Sequence, residues 1–216
     1  AIERATLHLH VVERSNWRDL TLALYRVRRT WDELGATWKL AGSGQPWGVP
    51  GCDGIGTDRD EFLLASALFP EPGQTLTVDI TELVREWHMH PDENNGLLLK
   101  GLGGVSVEYS VASFEHSDAA LRPKLVVQCS TALPTPTPTV AATPIPMPGA
   151  VAFAAGEDTT ISSWYPDQSC GLEPELAVRQ GDAIASLLRF DLTALPAGST
   201  IQQAQLLVYV LDRTNA

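Results

Sequence analysis

Hydrophobic and polar residues alternate along most of this chain with a period of two. Ala5, Leu7, Leu9 and Val11 alternate with Thr6, His8, His10 and Val12, the pattern of a strand with one buried face. Leu20, Leu22, Leu24 and Arg26 alternate in the same way with Thr21, Ala23, Tyr25 and Val27, and Asn16 to Asp19 make the connection. Leu76 to Ile80, Leu97 to Leu99, Val105 to Val111 and Leu125 to Val127 predict further strands, with Pro123 at the opening of the last. Thr159 to Ile161, Leu176 to Val178, Ser186 to Phe190 and Ile201 to Val210 continue the pattern towards the end of the chain. One segment departs from it. Ile80, Leu83, Val84 and Trp87 fall at i, i+3, i+4 and i+7, which predicts a helix of about two turns. Asp79 followed by Glu82 fits a variant of the capping box. Asn94-Asn95-Gly96 and Leu195-Pro196-Ala197-Gly198 read as turns, and Ala41 to Asp60 as a long loop.

Composition adds a boundary. Six of the 15 prolines lie between Thr131 and Gly149, together with five threonines and no charge. Thr-Pro alternation presets an extended backbone and builds no packed core, so 131–149 reads as a linker. It separates a portion of 1–130 from one of 150–216. The second is marginal in size for a separate domain, and its long apolar last strand needs a partner along its edge. The net charge of −11 comes from both portions, which argues against a nucleic-acid partner. No apolar run approaches the ~20 residues of a membrane-spanning helix. The first residues show no signal-peptide pattern, and a start without Met is expected of a processed or excerpted product.

The chain also repeats itself. IERATLHLHV from Ile2 aligns without a gap to IQQAQLLVYV from Ile201, pairing Ala5 with Ala204, Leu7 with Leu206 and Val11 with Val210. The offset is 199 residues throughout. Glu13-Arg14-Ser15-Asn16 and Asp212-Arg213-Thr214-Asn215, which follow, are chemically alike. The chain therefore reads as one period of a repeating object plus a short overlap.

Four blocks extend the argument: SLLRFDLTALPAGSTIQQAQLLVYV, LYRVRRTWDELGATWKLAGSGQPW, VDITELVREW and NNGLLLKG. They resemble successive parts of the DNRLRE-type domain, an extracellular bacterial β-sandwich whose final strand resembles LRPKLVV here. The order is broken, because the block that opens such a domain lies at 186–210, after the others. The resemblance implies an all-β, jelly-roll-like sandwich with one short helix. In that reading 1–130 is the C-terminal portion of one sandwich and 150–216 the N-terminal portion of the next. Each domain would be completed between successive repeats of a tandem array, or between subunits by strand donation.

Candidate chemistry is sparse. Asp53, Asp58 and Asp60 share a Gly-rich loop and offer carboxylates suited to Ca²⁺, outside EF-hand spacing; no other cofactor is expected. His8/His10 and His88/His90 are His-x-His pairs without a third ligand nearby in sequence. In an extracellular setting, Cys52 and Cys170 lie in loops suited to a disulfide, while Cys129 ends a strand. Trp87 belongs to the helix stripe, and Trp31 and Trp38 to a family block. Trp17, Trp47 and Trp164 are the loop tryptophans with which a sugar-stacking site would be built, since the resemblance extends to carbohydrate-binding modules. No nucleophile elbow, P-loop or zinc-protease motif is present, so no enzyme is expected. The expected function is structural: an extracellular or cell-surface filament, sheath or stalk with a mechanical and adhesive role, its partners copies of itself or adjacent repeats. The alternative is a carbohydrate-binding module of a secreted polysaccharide-active protein.

Overall fold

The computed structural model describes residues 7–11, 19–71, 73–103, 107–131, 150–181 and 183–212. The Pro-Thr stretch from 132 to 149 and Trp17 lie outside these residues. Among the described residues the strands are β1 (Leu7–Val11), β2 (Thr21–Arg26), β3 (Leu40–Gly42), β4 (Gln45–Pro46), β5 (Ala65–Leu68) and β6 (Gln74–Asp79). After helix α1 (Thr81–Met89) and a 3-10 turn (Pro91–Glu93) come β7 (Leu97–Leu102), β8 (Glu108–Ala112) and β9 (Lys124–Thr131). The last four are β10 (Ala150–Ser162), β11 (Glu175–Arg179), β12 (Ile184–Phe190) and β13 (Ser199–Asp212). The fold is all-β, as the alternation predicts, with a single short helix among the described residues where the stripe Ile80 to Trp87 predicts one, and it is sandwich-like.

Eleven strands join in one rolled sheet in the order β1-β6-β13-β8-β11-β12-β7-β2-β5, with β9 and β10 closing the path between β13 and β12 and β1 also pairing with β13, while β3 and β4 form a separate two-stranded sheet. The predicted need of the long last strand is met on several sides. β13 pairs with β9 from Ser199↔Thr131 to Leu207↔Lys124, then with β6 and with β8. β10 is much longer than its sequence signal. It pairs with β9 through residues 150–154 and with β12 from Ala155↔Phe190 to Ser162↔Ile184, with an irregularity between Ala155 and Glu157. The segments before and after the Pro-Thr stretch thus complete one another within a single chain.

Inward side chains form one large core. Leu20, Leu22 and Leu24 of the β2 segment, Leu97 and Leu99 of β7, and Leu206, Val208 and Val210 of β13 all belong to it. Burying such a side chain is worth about 1.5–3 kcal/mol, which makes this core the main source of stability. The run Leu97-Leu98-Leu99 breaks the alternation for a physical reason. Leu98 faces the other way, into a second cluster with Val27, Trp31, Trp47, Cys52, Ile161 and Leu187. The loop after β2 folds back to build that cluster, so the sheet is covered on both faces here. The hairpin β3–β4 lies inside the region that reads as loop in the sequence.

Helix α1 connects β6 to the turn before β7, with Leu83, Val84 and Trp87 buried. Its start differs from the expected capping box. The Asp79 carboxylate accepts the Thr81 N–H at 3.0 Å and the Thr81 hydroxyl at 2.8 Å, while Glu82 pairs with Arg85. Arg26, buried at the end of β2, reaches both Glu86 on α1 and Glu93, which ties the helix to the sheet. Gly96 sits at φ +82°, and a Cβ there would lie 2.3 Å from the Leu188 carbonyl oxygen, so this turn requires glycine. Among the described residues no helix is long and apolar enough to cross a membrane.

Candidate functional site

The loop after β2 carries the three aspartates that the sequence groups together. Asp58 is fully buried, and its carboxylate is saturated by the loop's own backbone. Oδ1 accepts the Gly48 N–H and Arg29 Nε, and Oδ2 accepts the Val49 and Gly54 N–H groups, each at 2.9 Å. Burial alone would raise its pKa, yet these donors hold it below the usual carboxylate value. Asp53 pairs with Lys100 at 2.6 Å and Arg59 at 3.1 Å, and Asp60 pairs with Arg28. The aspartates clamp the loop through separate cations and do not form the convergent oxygen set expected for Ca²⁺. The glycines have the same logic: a Cβ on Gly54 would lie 2.4 Å from Asp58 Oδ2.

A convergent set lies elsewhere. Glu33, Glu115 and Asp158 each bring an oxygen within 4.8 Å of the others, and they form the one such three-residue group of possible ligands among the described residues. Asp158, on β10, is 1% exposed and accepts the Phe114 N–H at 2.7 Å. Glu33 Oε1 accepts the Asp158 N–H at 2.9 Å, and Glu115 Oε2 is shielded from solvent without a hydrogen-bond partner. Burial pushes the Asp158 carboxyl well above its usual range, and the Glu115 and Glu33 charges add to this against the Phe114 N–H. Burial also raises Glu33, reinforced by Glu115 and Glu157 and opposed by the Asp158 N–H and Arg189. Such a set can share protons or offer oxygen ligands to a hard cation. No spacing motif announces it, because its members stand at 33, 115 and 158 and only the fold assembles them.

Close by, residues 163–174 fold against the same part of the chain. Ser169 Oγ donates to the Glu33 carbonyl at 3.2 Å, and Lys39 Nζ pairs with Asp167 at 2.8 Å. An open groove of about 410 Å³ lies along this segment, lined by Glu108, Thr160, Ser162, Trp164, Tyr165 and Gln168 among others. Trp164 is 49% exposed and Tyr165 64%. The Arg179 guanidinium sits 4.6 Å from the Trp164 ring centre and pairs with Glu108 at 3.3 Å. An aromatic face braced by an ion pair and flanked by hydroxyl and amide groups can stack on a flat, polar-edged ligand.

Among the described residues the other tryptophans are structural. Trp47 was expected in an exposed loop, but it is 4% exposed and its Nε1 donates to the Thr37 carbonyl at 2.9 Å. Packing in the second cluster removes it from any sugar platform. Trp31 donates to the Asn95 carbonyl at 2.8 Å, Trp87 lies in the large core, and Trp38 packs against the second cluster.

The expected Cys52–Cys170 bridge is absent, and Cys52, Cys129 and Cys170 are free thiols. Cys52 is fully buried at φ +59°, with its Sγ directed at the Asp58 carbonyl, while Cys170 lines the groove. Burial raises both thiols, with Asp58 and Asp53 adding at Cys52 and Glu173 at Cys170, which disfavours the thiolates that disulfide exchange requires. His88 closes the last turn of α1 and His90 follows it; neither joins a three-ligand group among the described residues. Comparisons with protein-family models, with curated proteins and with solved structures find no match.

Proposed function

We propose that this chain is an extracellular structural protein, a unit of repeated DNRLRE-like β-sandwiches joined by Pro-Thr linkers, which builds a filament, sheath or stalk. The observation that carries this reading is the ladder between β9 and β13. It joins residues on the two sides of the Pro-Thr stretch over nearly the whole length of β9. A sandwich whose halves pair across a linker can close on itself or through a neighbour with the same strands. That property suits a repeating assembly, and the 199-residue repeat in the sequence supports it. The assembly would be held by strand pairing and apolar burial, with a mechanical and adhesive role and no catalysis. Electron microscopy of the purified chain at rising concentration tests it. Regular fibres with one unit per axial repeat are expected, and monomers at every concentration overturn it.

A second reading has its own observation, the groove beside Trp164. A carbohydrate-binding module would stack a sugar ring on Trp164 and Tyr165 and hold its hydroxyls with Gln168 and Glu108. Polysaccharide pull-down that is lost in Trp164→Ala, with the fold intact, supports this reading; retention of binding removes it.

A further inference from the structure

The two copies of the sequence repeat meet in the fold. β1 runs parallel to β13 with His8↔Leu207, Leu9↔Val208 and His10↔Tyr209, so every pair is separated by the repeat offset of 199 residues. Both copies also pair antiparallel with β6, and in the same register. Leu76 is opposite Leu9 and opposite Val208, and Thr75 is opposite His10 and opposite Tyr209. Two strands flanking a third in a flat sheet lie about 9–10 Å apart, twice the strand spacing, and cannot hydrogen-bond to each other. Their direct pairing therefore means that β1 and the end of β13 converge on one position beside β6.

Their holds on that position are unequal and complementary. β1 pairs with β6 along its whole length, from Leu7↔Val78 to Val11↔Gln74. β13 pairs with β6 only at Val208 and Tyr209, but β9 anchors it through residues 199–207. One segment has the better ladder with β6 and the other has the better anchorage.

We propose that the position beside β6 is a strand-exchange site. It takes Leu7–Val11 or the end of β13, one at a time, and the segment left over fills the same position in a second copy of this chain. The occupant is fixed by the repeat: a strand with the alternation and register of IERATLHLHV, a pattern the chain itself carries twice. Main-chain hydrogen bonds would supply the attachment, as in β-strand addition. Because the donor segment and the acceptor position are different surfaces, the contact is head-to-tail and does not close by two-fold symmetry. This deepens the structural reading above and rests on it, since it names the link between units.

Mixed-chain crosslinking tests it. One chain carries Thr75→Cys and a second carries His10→Cys, both with Cys129→Ser and Cys170→Ser and with the buried Cys52 kept. Paired residues in a sheet place Cα atoms within disulfide range. Oxidation of the mixture should give a heterodimer joined at 75 and 10. Its yield should rise with concentration and exceed several-fold that of a control chain carrying Phe62→Cys, a position 80% exposed. Leu9→Pro in the donor, which places a proline in the middle of the paired strand, should abolish the product while both chains stay folded. Heterodimer no more abundant than the control, or insensitive to Leu9→Pro, overturns the proposal. Fibres without the crosslink would leave the structural reading standing and remove strand exchange; the crosslink without fibres would do the reverse.

Discussion

Two regions of this molecule each hold three acidic residues and a tryptophan that the sequence singles out or the fold assembles, and they use them in opposite ways. The loop after β2 is contiguous in sequence and satisfied in structure. Asp58 is saturated by three backbone N–H groups and Arg29, Asp53 and Asp60 face cations, and Trp47 is packed and hydrogen-bonded. The junction around Glu33, Glu115 and Asp158 is drawn from distant segments. There, burial, the neighbouring Glu115 and Glu33 charges and a hydrogen bond to Glu115 keep Asp158 protonated to higher pH, Glu115 Oε2 has no partner, and Trp164 is half in solvent. A loop that folds on itself can supply a donor for every acceptor along a few residues of backbone. A junction of remote segments is fixed by the core beneath it, and the groups it brings together need not suit each other.

The largest expected effect tests the satisfied side. Asp58→Ala leaves three backbone N–H groups and the Arg29 guanidinium without their acceptor at a buried site. It should destabilise the protein by about 3–5 kcal/mol in urea unfolding, the range for breaking a buried pair. Limited proteolysis should cut first between Arg28 and Phe62. A loss below about 1 kcal/mol would mean that the loop is held by the second cluster alone, since ordinary surface changes stay near ±0.5.

Acidity separates the two regions by sign. Asp58 has a lowered folded pKa, so its contribution is present above the unfolded value of about 3.9 and lost as pH falls through the folded one. Asp158 has a raised folded pKa, so its contribution is full below about 3.9 and lost as pH rises through the folded value. At pH 7 Asp158→Asn should therefore match or exceed the wild type. A gain of about 1 kcal/mol would appear as a Tm higher by about 2–4 °C for a chain of this size. The gain should shrink towards pH 4, where the wild-type carboxyl is protonated as well. Thermal scans between pH 4 and 7 check this. Asp158→Asn that is destabilising by the same amount at every pH would place Asp158 with Asp58, as a satisfied group.

The same contrast explains what could be read from the sequence. Strand positions and the helix are local patterns, and the alternation at Leu20 to Val27 and the stripe Ile80 to Trp87 carry them directly. β5 is missed because Ala65–Leu68 mixes small and polar residues without strong alternation, and the early part of β10 because Ala150–Ala155 is nearly all Ala and Val. Asp53, Asp58 and Asp60 look like a ligand set because acidic residues with glycine are what both a cation loop and a self-capped loop require. The difference lies in which N–H groups point inward, and residue types do not encode that. Glu33, Glu115 and Asp158 leave no signal at all, since convergence over 125 residues depends on β10 reaching the turn after β2. Trp47 reads as exposed from its Gly/Pro-rich neighbourhood, because nothing local shows that the loop covers a sheet face.

The smallest effect on stability is the sharpest probe of the junction. Trp164→Ala removes an exposed indole and its contact with Arg179, and exposed contacts of that kind are worth about 0.5–1 kcal/mol. Trp47→Ala, on the satisfied side, opens a cavity and leaves the Thr37 carbonyl without its donor, at an expected cost of about 3–5 kcal/mol. Side-by-side urea titrations with equal m-values should therefore separate the two tryptophans by a wide margin in midpoint. If Trp164→Ala proved as costly as Trp47→Ala, the indole would be holding residues 163–174 in place, and the groove would be a structural seam with nothing to spare for a ligand. If it is nearly neutral, the ring stays half in water beside an ion pair without being needed by the fold, which is the condition for a side chain to be free to bind.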